Sequence, residues 1–195
     1  MRIIAGTYRS RILKSLKGLA LRPTSDRLRE TLFDVLGPAV EGSRFLDVFA
    51  GTGAVGIEAI SRGAARAVFI ENHGPAATLI RRNLESLGVR SGFQILTEDA
   101  LRGLTRLAGK RQPGDAGFDF VFIDPPYAAG EQYDRVLQFL GSASLLAPGA
   151  TVIAEHRRTV ELPERVGALR RSRILRQGDA ALTFYRAETD PVLAG

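Results

Sequence analysis

The sequence predicts an α/β fold, a mostly parallel, doubly wound sheet with helices on both faces. Three observations carry that reading. Short apolar runs alternate with amphipathic segments that open at Ser, Thr, Asp or Pro and close at Gly, so strand and helix follow one another. The run Phe120-Val121-Phe122-Ile123 holds no polar residue, as a strand buried on both faces requires. Gly51, Gly53 and Gly56 stand between a strand and a helix, where sheets of this class bind ligands. A chain of 195 residues, 45% hydrophobic and 25% charged, supplies the apolar surface for such a core.

Residues 1–22 alternate short β-like pieces, Ile3-Ile4 and Ile12-Leu13, with Gly, Ser and basic residues. They read as a hairpin extension, mobile by itself. Thr24, Ser25 and Asp26 are three candidate N-caps for a helix with Leu28, Leu32, Val35 and Leu36 on one stripe, which Gly37-Pro38 ends. A strand at 44–49 follows, then helix 54–62, strand 67–70, and helix 75–87, opened by a proline and closed at Gly88. Residues 93–96 make a third strand and 100–107 a helix. The polar, Gly/Pro-rich stretch 109–117 connects to the fourth strand. Helix 131–140, a turn at Pro148-Gly149, a fifth strand at 151–154 and an antiparallel pair near 173–175 and 181–185 complete the main domain, 23–187. Residues 188–195 have no apolar face to bury and read as a fraying tail.

The net charge is +6, and the basic residues cluster: Arg2, Arg9, Arg11, Lys14, Lys17, Arg22, Arg27 and Arg29 precede Glu30 with only Asp26 against them. A second basic run spans 157–176. Each run fits either a polyanionic partner or a solvated face. Arg9, Arg11 and Lys14, on the hairpin, have the character of phosphate binders rather than base readers. The chain has no cysteine, which removes disulfides, thiolate metal sites and cysteine nucleophiles. Its two histidines, His73 and His156, are too few for most metal clusters. No run reaches the roughly 20 apolar residues of a membrane span, so the cytoplasm is the expected location.

Asp124-Pro125-Pro126-Tyr127 stands at the carboxyl end of the buried fourth strand, where a carboxylate and an aromatic ring meet substrates. The prolines stiffen the turn and leave backbone carbonyls available as acceptors. Gly51, Gly53 and Gly56, with Glu71 at the end of the next strand, match a dinucleotide fingerprint. Asp47, in the last turn of the first strand, repels a pyrophosphate and favours a ligand carrying an ammonium group. S-adenosylmethionine has that group, a sulfonium, a ribose diol and an adenine, and no phosphate. Asp99 offers a further acid after the third strand. A nicotinamide cofactor remains the alternative at this point.

The order Asp-x-Phe-x-Gly-x-Gly at 47–53, acids after strands two and three, Asp-Pro-Pro-Tyr after strand four and Leu145-Leu146-Ala147-Pro148-Gly149 before strand five resembles the class I S-adenosylmethionine-dependent amino-methyltransferases. Their fold is Rossmann-like, with a mostly parallel seven-stranded sheet. More narrowly, Arg2-Ile3-Ile4-Ala5-Gly6 with the stretch Leu21-Arg22-Pro23-Thr24-Ser25-Asp26 through Phe33 is similar to the RsmD family, which methylates the exocyclic N2 of a guanine in 16S ribosomal RNA. The resemblance implies that Asp47, Phe49, Gly51 and Gly53 cradle the methionine and ribose. It places Glu71 on the ribose diol, Asp99 on the adenine amino group and Thr24 beside the methionine end. Asp124 and Pro125 then accept hydrogen bonds from the target amine, Pro126 stiffens the turn, and Tyr127 stacks on the base. The implied partner is 16S rRNA or a small-subunit assembly particle, with no membrane and no metal, and the protein is expected to act as a monomer. Asn72-His73 departs from the family pattern after Glu71, and His73 reads as a surface loop residue without a role. Three rival readings stand beside this one. An adenine-N6 methyltransferase shares the Asp-Pro-Pro-Tyr chemistry, and a nicotinamide-dependent dehydrogenase shares the glycines. A non-catalytic RNA-binding module gives Asp47, Glu71, Asp99 and Asp124 no reason to coincide.

Overall fold

In the computed structural model, which describes residues 1–15, 25–112, 114–126 and 130–188, helix α1 (Asp26–Leu36) starts at Ser25. The Ser25 hydroxyl accepts the Leu28 N–H at 3.1 Å, satisfying one of the amide donors that a first helical turn leaves free. Thr24, the neighbouring cap candidate, lies outside the described residues. Leu28, Leu32, Phe33 and Leu36 form the buried stripe, with Phe33 stacked on Phe45 at 6.0 Å between ring centroids. A short 3-10 turn, Gly37–Val40, ends the segment.

The chain divides into two compact units, Met1–Gly103 and Leu104–Gly195, where the sequence reads as one main domain from 23 to 187. In the first unit, β1 (Arg44–Val48), β2 (Arg66–Ile70) and β3 (Phe93–Leu96) run parallel in the order β3-β2-β1. Parallel neighbours need crossovers, and α2 (Ala54–Ser61) and α3 (Gly74–Ser86) supply them. Helix α2 lies so close to β2 that a Cβ on Gly56 would stand 2.3 Å from the Phe69 ring. Only glycine allows that approach. Helix α4 (Ala100–Gly109) follows β3.

The N-terminal arm, which the sequence reads as a hairpin mobile by itself, is fastened to this unit. It folds back on itself through Ile3 N–H to Arg11 C=O at 3.0 Å and Leu13 N–H to Met1 C=O at 3.1 Å. Ile3 and Leu13 are buried in one cluster with Ile57, Phe69, Ile80 and Leu84. The fully buried Glu58 carboxylate accepts the Ile4 and Ala5 N–H groups at 2.8 and 2.9 Å. Two core side chains and a buried acceptor for its amides hold the arm, and neither shows in local sequence pattern.

The second unit carries β4 (Phe118–Ile123), α5 (Gly130–Ser142), β5 (Leu146–Arg157), β6 (Arg165–Val166), β7 (Leu169–Gln177) and β8 (Ala180–Ala187). The order is β4-β5-β8-β7-β6, with β4 and β5 parallel and the remaining pairs antiparallel. The described strands therefore number eight rather than seven, because the two-residue β6 pairs with β7 through Arg165↔Arg170 and Val166↔Leu169. The turn expected at Pro148-Gly149 is absorbed into β5, which passes Gly149 at φ +70 and shifts register against β4 between Phe118 and Phe120. A bulge of this kind keeps a strand continuous while re-aiming it. The architecture is α/β, as the alternation of elements predicts.

Candidate active site

Val48, Ile70 and Leu96 lie level across the parallel strands β1, β2 and β3, so the loops after them leave from one carboxyl edge. The first of these, 49–53, turns through three left-handed residues: Phe49 at φ 65, Gly51 at 54 and Gly53 at 77. For the glycines this is free, while for Phe49 it costs on the order of 1–3 kcal/mol, a strain that the surroundings must enforce. They do so through Ala50 N–H to Ile70 C=O at 3.0 Å and Gly53 N–H to Ala50 C=O at 2.7 Å.

The two glycines have different duties. A Cβ on Gly53 would lie 3.0 Å from Ile80 and 3.3 Å from Ile57, so that position faces the core. A Cβ on Gly51 would meet nothing nearer than the Phe49 carbonyl oxygen at 4.0 Å, so that position faces open space. Glu71 braces the loop: one carboxylate oxygen accepts the Gly51 N–H at 2.7 Å, the other the His73 N–H at 2.8 Å. Each oxygen keeps a lone pair for a ligand hydroxyl. His73, to which the sequence reading gave no role, thus fixes the orientation of Glu71 through its backbone.

Asp47 is 2% exposed and accepts the Gly56 N–H at 2.9 Å, which ties the end of β1 to the first turn of α2. Burial pushes its carboxyl up to about 7; the Gly56 N–H opposes that rise and the negative Glu71 adds to it. A cation arriving beside Asp47 would restore its charge. Asp99 is exposed at the same carboxyl edge and accepts the Leu101 N–H at 3.0 Å, at the start of α4.

In the second unit, β4 is buried along nearly its whole length and delivers Asp124, half-buried, immediately after Ile123. Pro125 is buried and Pro126 exposed, while Tyr127 lies outside the described residues. On the arm, Arg9, Arg11 and Lys14 are all exposed. Arg11 also donates to the Ser86 C=O at 3.1 Å, near the end of α3.

Three residues absent from the sequence reading organise the first unit. Glu58 receives the arm, Ser61 donates its hydroxyl to the Ala5 C=O at 2.6 Å, and Asn83 pairs with the Lys14 backbone. Their sequence neighbourhoods are ordinary helix, and their partners on the arm are 53 to 69 positions away. Among the described residues, no helix is long and apolar enough to cross a membrane, and no three acidic or histidine side chains converge as a metal site.

Residues 1–186 match the family described as Conserved hypothetical protein 95. The chain is 37% identical to YlbH of Bacillus subtilis over 186 residues, covering 95% of this chain and 98% of that protein. It is 36% identical over 156 residues to the Ribosomal RNA small subunit methyltransferase D of Haemophilus influenzae, covering 80% and 78%. The solved structure of yhhF from Escherichia coli superposes with a TM-score of 0.82 at 30% identity, over 97% of this chain and 99% of that one. With a match along nearly its whole length and relatives at this level of identity, the chain belongs to the RsmD family.

Proposed function

We propose that the protein transfers a methyl group from S-adenosylmethionine to the exocyclic N2 of a guanine in 16S ribosomal RNA. The substrate is the RNA alone or within a small-subunit assembly particle, met by a monomer in the cytoplasm. One observation carries the reading: the strained loop 49–53, braced by Glu71 over the buried Asp47, in a chain 36% identical to a small-subunit rRNA methyltransferase. The donor set suits this cofactor. Gly51 leaves room at the loop, Glu71 has lone pairs for a ribose diol, and a cation such as an ammonium would favour the charged form of Asp47, whose carboxyl burial raises to about 7. Two carboxylates beside the loop disfavour a pyrophosphate, which weighs against a dinucleotide.

S-adenosylmethionine, when bound, supplies an electrophilic methyl on a sulfonium. Asp47, Phe49, Gly51 and Gly53 hold its methionine and ribose, Glu71 its diol and Asp99 its adenine amine, with Thr24 at the methionine end. A guanine amine is a weak nucleophile because its lone pair is shared with the ring. The Asp124 carboxylate and the Pro125 carbonyl each accept one N–H, which turns the lone pair out of conjugation. Pro126 keeps the turn stiff, and Tyr127 stacks on the base. A paired base is first turned out of its helix. Positioning of this kind can lower a barrier by about 7–11 kcal/mol. No strong base is needed before transfer: as the N–C bond forms and the sulfonium C–S bond breaks, S-adenosylhomocysteine is the leaving group, and the methylated nitrogen, now acidic, gives up its proton afterwards. Arg9, Arg11 and Lys14 hold phosphates.

The test is nucleoside mass spectrometry of small-subunit rRNA, from cells lacking this gene, after incubation with the protein and S-adenosylmethionine. N2-methylguanosine is expected. N6-methyladenosine in its place would reassign the target, and unmodified RNA would refute the proposal.

A further inference from the structure

The buried side chain of Asn83 on α3 is shared by two segments with separate duties. Its Oδ1 accepts the Lys14 N–H at 2.9 Å. Its Nδ2 donates to the Lys14 C=O at 3.2 Å and to the Thr52 C=O at 3.3 Å. The amide therefore pairs with Lys14 as a neighbouring strand would, while gripping the peptide between Thr52 and Gly53. A buried amide is costly unless its bonds are made, and here each bond runs to the arm or to the loop. A second tie runs parallel to it: the Thr52 hydroxyl lies 3.8 Å from the Met1 sulfur.

We propose that Asn83 is a positioning residue that couples the glycine loop to the basic arm. A ligand that fixes the loop fixes the Thr52 carbonyl, hence the Asn83 amide, hence Lys14 and the exposed Arg9 and Arg11 beside it. By reciprocity, RNA phosphates held on the arm strengthen the loop's grip on its ligand by the same factor. No change of shape is required, since suppressing the openings of one segment suppresses those of the other. The inference rests on the reading of loop 49–53 as the S-adenosylmethionine site.

Hydrogen exchange on the full chain, with and without S-adenosylhomocysteine, tests it. The informative arm amides are Ile3 and Leu13, which donate to the Arg11 and Met1 carbonyls rather than to Asn83. At a ligand concentration of 100 times Kd, mass action slows the exchange of a fully coupled amide by up to about 100-fold. In the wild type, Ile3 and Leu13 should slow together with Gly51 and Gly53. In Asn83→Ala, Gly51 and Gly53 should still slow while Ile3 and Leu13 revert to their ligand-free rates. Asn83→Asp, which keeps an acceptor for the Lys14 N–H and gives up both donations, should behave as the Ala variant does and replaces it if that variant fails to fold. Wild-type arm amides that ignore the ligand while the loop responds would overturn the coupling and leave the site standing. Loop amides that ignore it would overturn the site reading itself. Arm slowing that persists in both variants would overturn the proposal by removing Asn83 from the coupling, which would then pass through the shared apolar cluster or the Met1–Thr52 pair.

Discussion

Replacing Asp47 with Asn should make the ligand-free protein more stable and the liganded protein weaker. Burial raises the Asp47 carboxyl from 3.8 to about 7, so the native state holds this proton longer than the unfolded chain does. The stability tied to that proton is fully present below the unfolded value and is lost as pH rises through the folded one. At about 1.4 kcal/mol for each tenfold change in proton affinity, the whole loss is on the order of a few kcal/mol, and more than half of it falls between pH 5 and pH 8. Asn cannot ionise, and its Oδ1 can still accept the Gly56 N–H that Asp47 holds at 2.9 Å. Urea unfolding of both proteins across that range isolates the contribution of the Asp47 proton, because the other titrating groups cancel in the difference. The Asn variant should gain on the wild type as pH rises. Calorimetry in buffers of different ionisation enthalpy adds a second reading: S-adenosylhomocysteine should expel up to about half a proton per molecule from the wild type near pH 7 and none from the variant, which should bind it weakly. Parallel stability curves from pH 5 to 8 would refute the argument from burial.

Gly51→Ala should fold at a cost of about 1–2 kcal/mol for its left-handed backbone and lose the thermal shift given by S-adenosylhomocysteine; an undiminished shift would move the ligand away from this loop. Asp124→Asn should retain measurable single-turnover methyl transfer because an amide oxygen still accepts an N–H, while Asp124→Ala should lose far more. Equal loss in the two would point instead to proton abstraction by the carboxylate. Charge reversal at Arg9 and Lys14 should flatten the salt dependence of RNA binding by about 0.7–0.9 in log–log slope for each phosphate the arm no longer neutralises, read by filter binding over a salt series; an unchanged slope would make the arm a solvated face.

The fold was legible wherever burial and local pattern coincide. Phe120-Val121-Phe122-Ile123 could only be an interior strand, and the structure buries all four. The start of α1 was legible only as a choice among three residues, since Thr24, Ser25 and Asp26 have similar capping chemistry and the backbone decides which one faces Leu28. Gly149 misled for a physical reason: a left-handed glycine after a proline suits a turn and a bulge equally, and pairing with β4 selects the bulge. In the candidate site, Glu71 was readable from its place after a strand. What its carboxylate holds was not, because the Gly51 amide is 20 positions away. Glu58 and Asn83 were silent because a polar residue inside a helix reads as solvent-facing until tertiary structure buries it.

The arm is held mostly by its main chain. Glu58 takes the amides of Ile4 and Ala5, Ser61 takes that of Tyr8, and Asn83 takes that of Lys14. Peptide groups are the same whatever side chains they carry. Beyond the apolar pair Ile3 and Leu13, and Gly6, where a Cβ would stand 1.8 Å from the Ser61 carbonyl oxygen, most arm residues can be exchanged without changing where the arm sits. Descendants of this chain are therefore free to re-tool the outward side chains one at a time, while the helices beneath keep presenting the arm at the same height and angle.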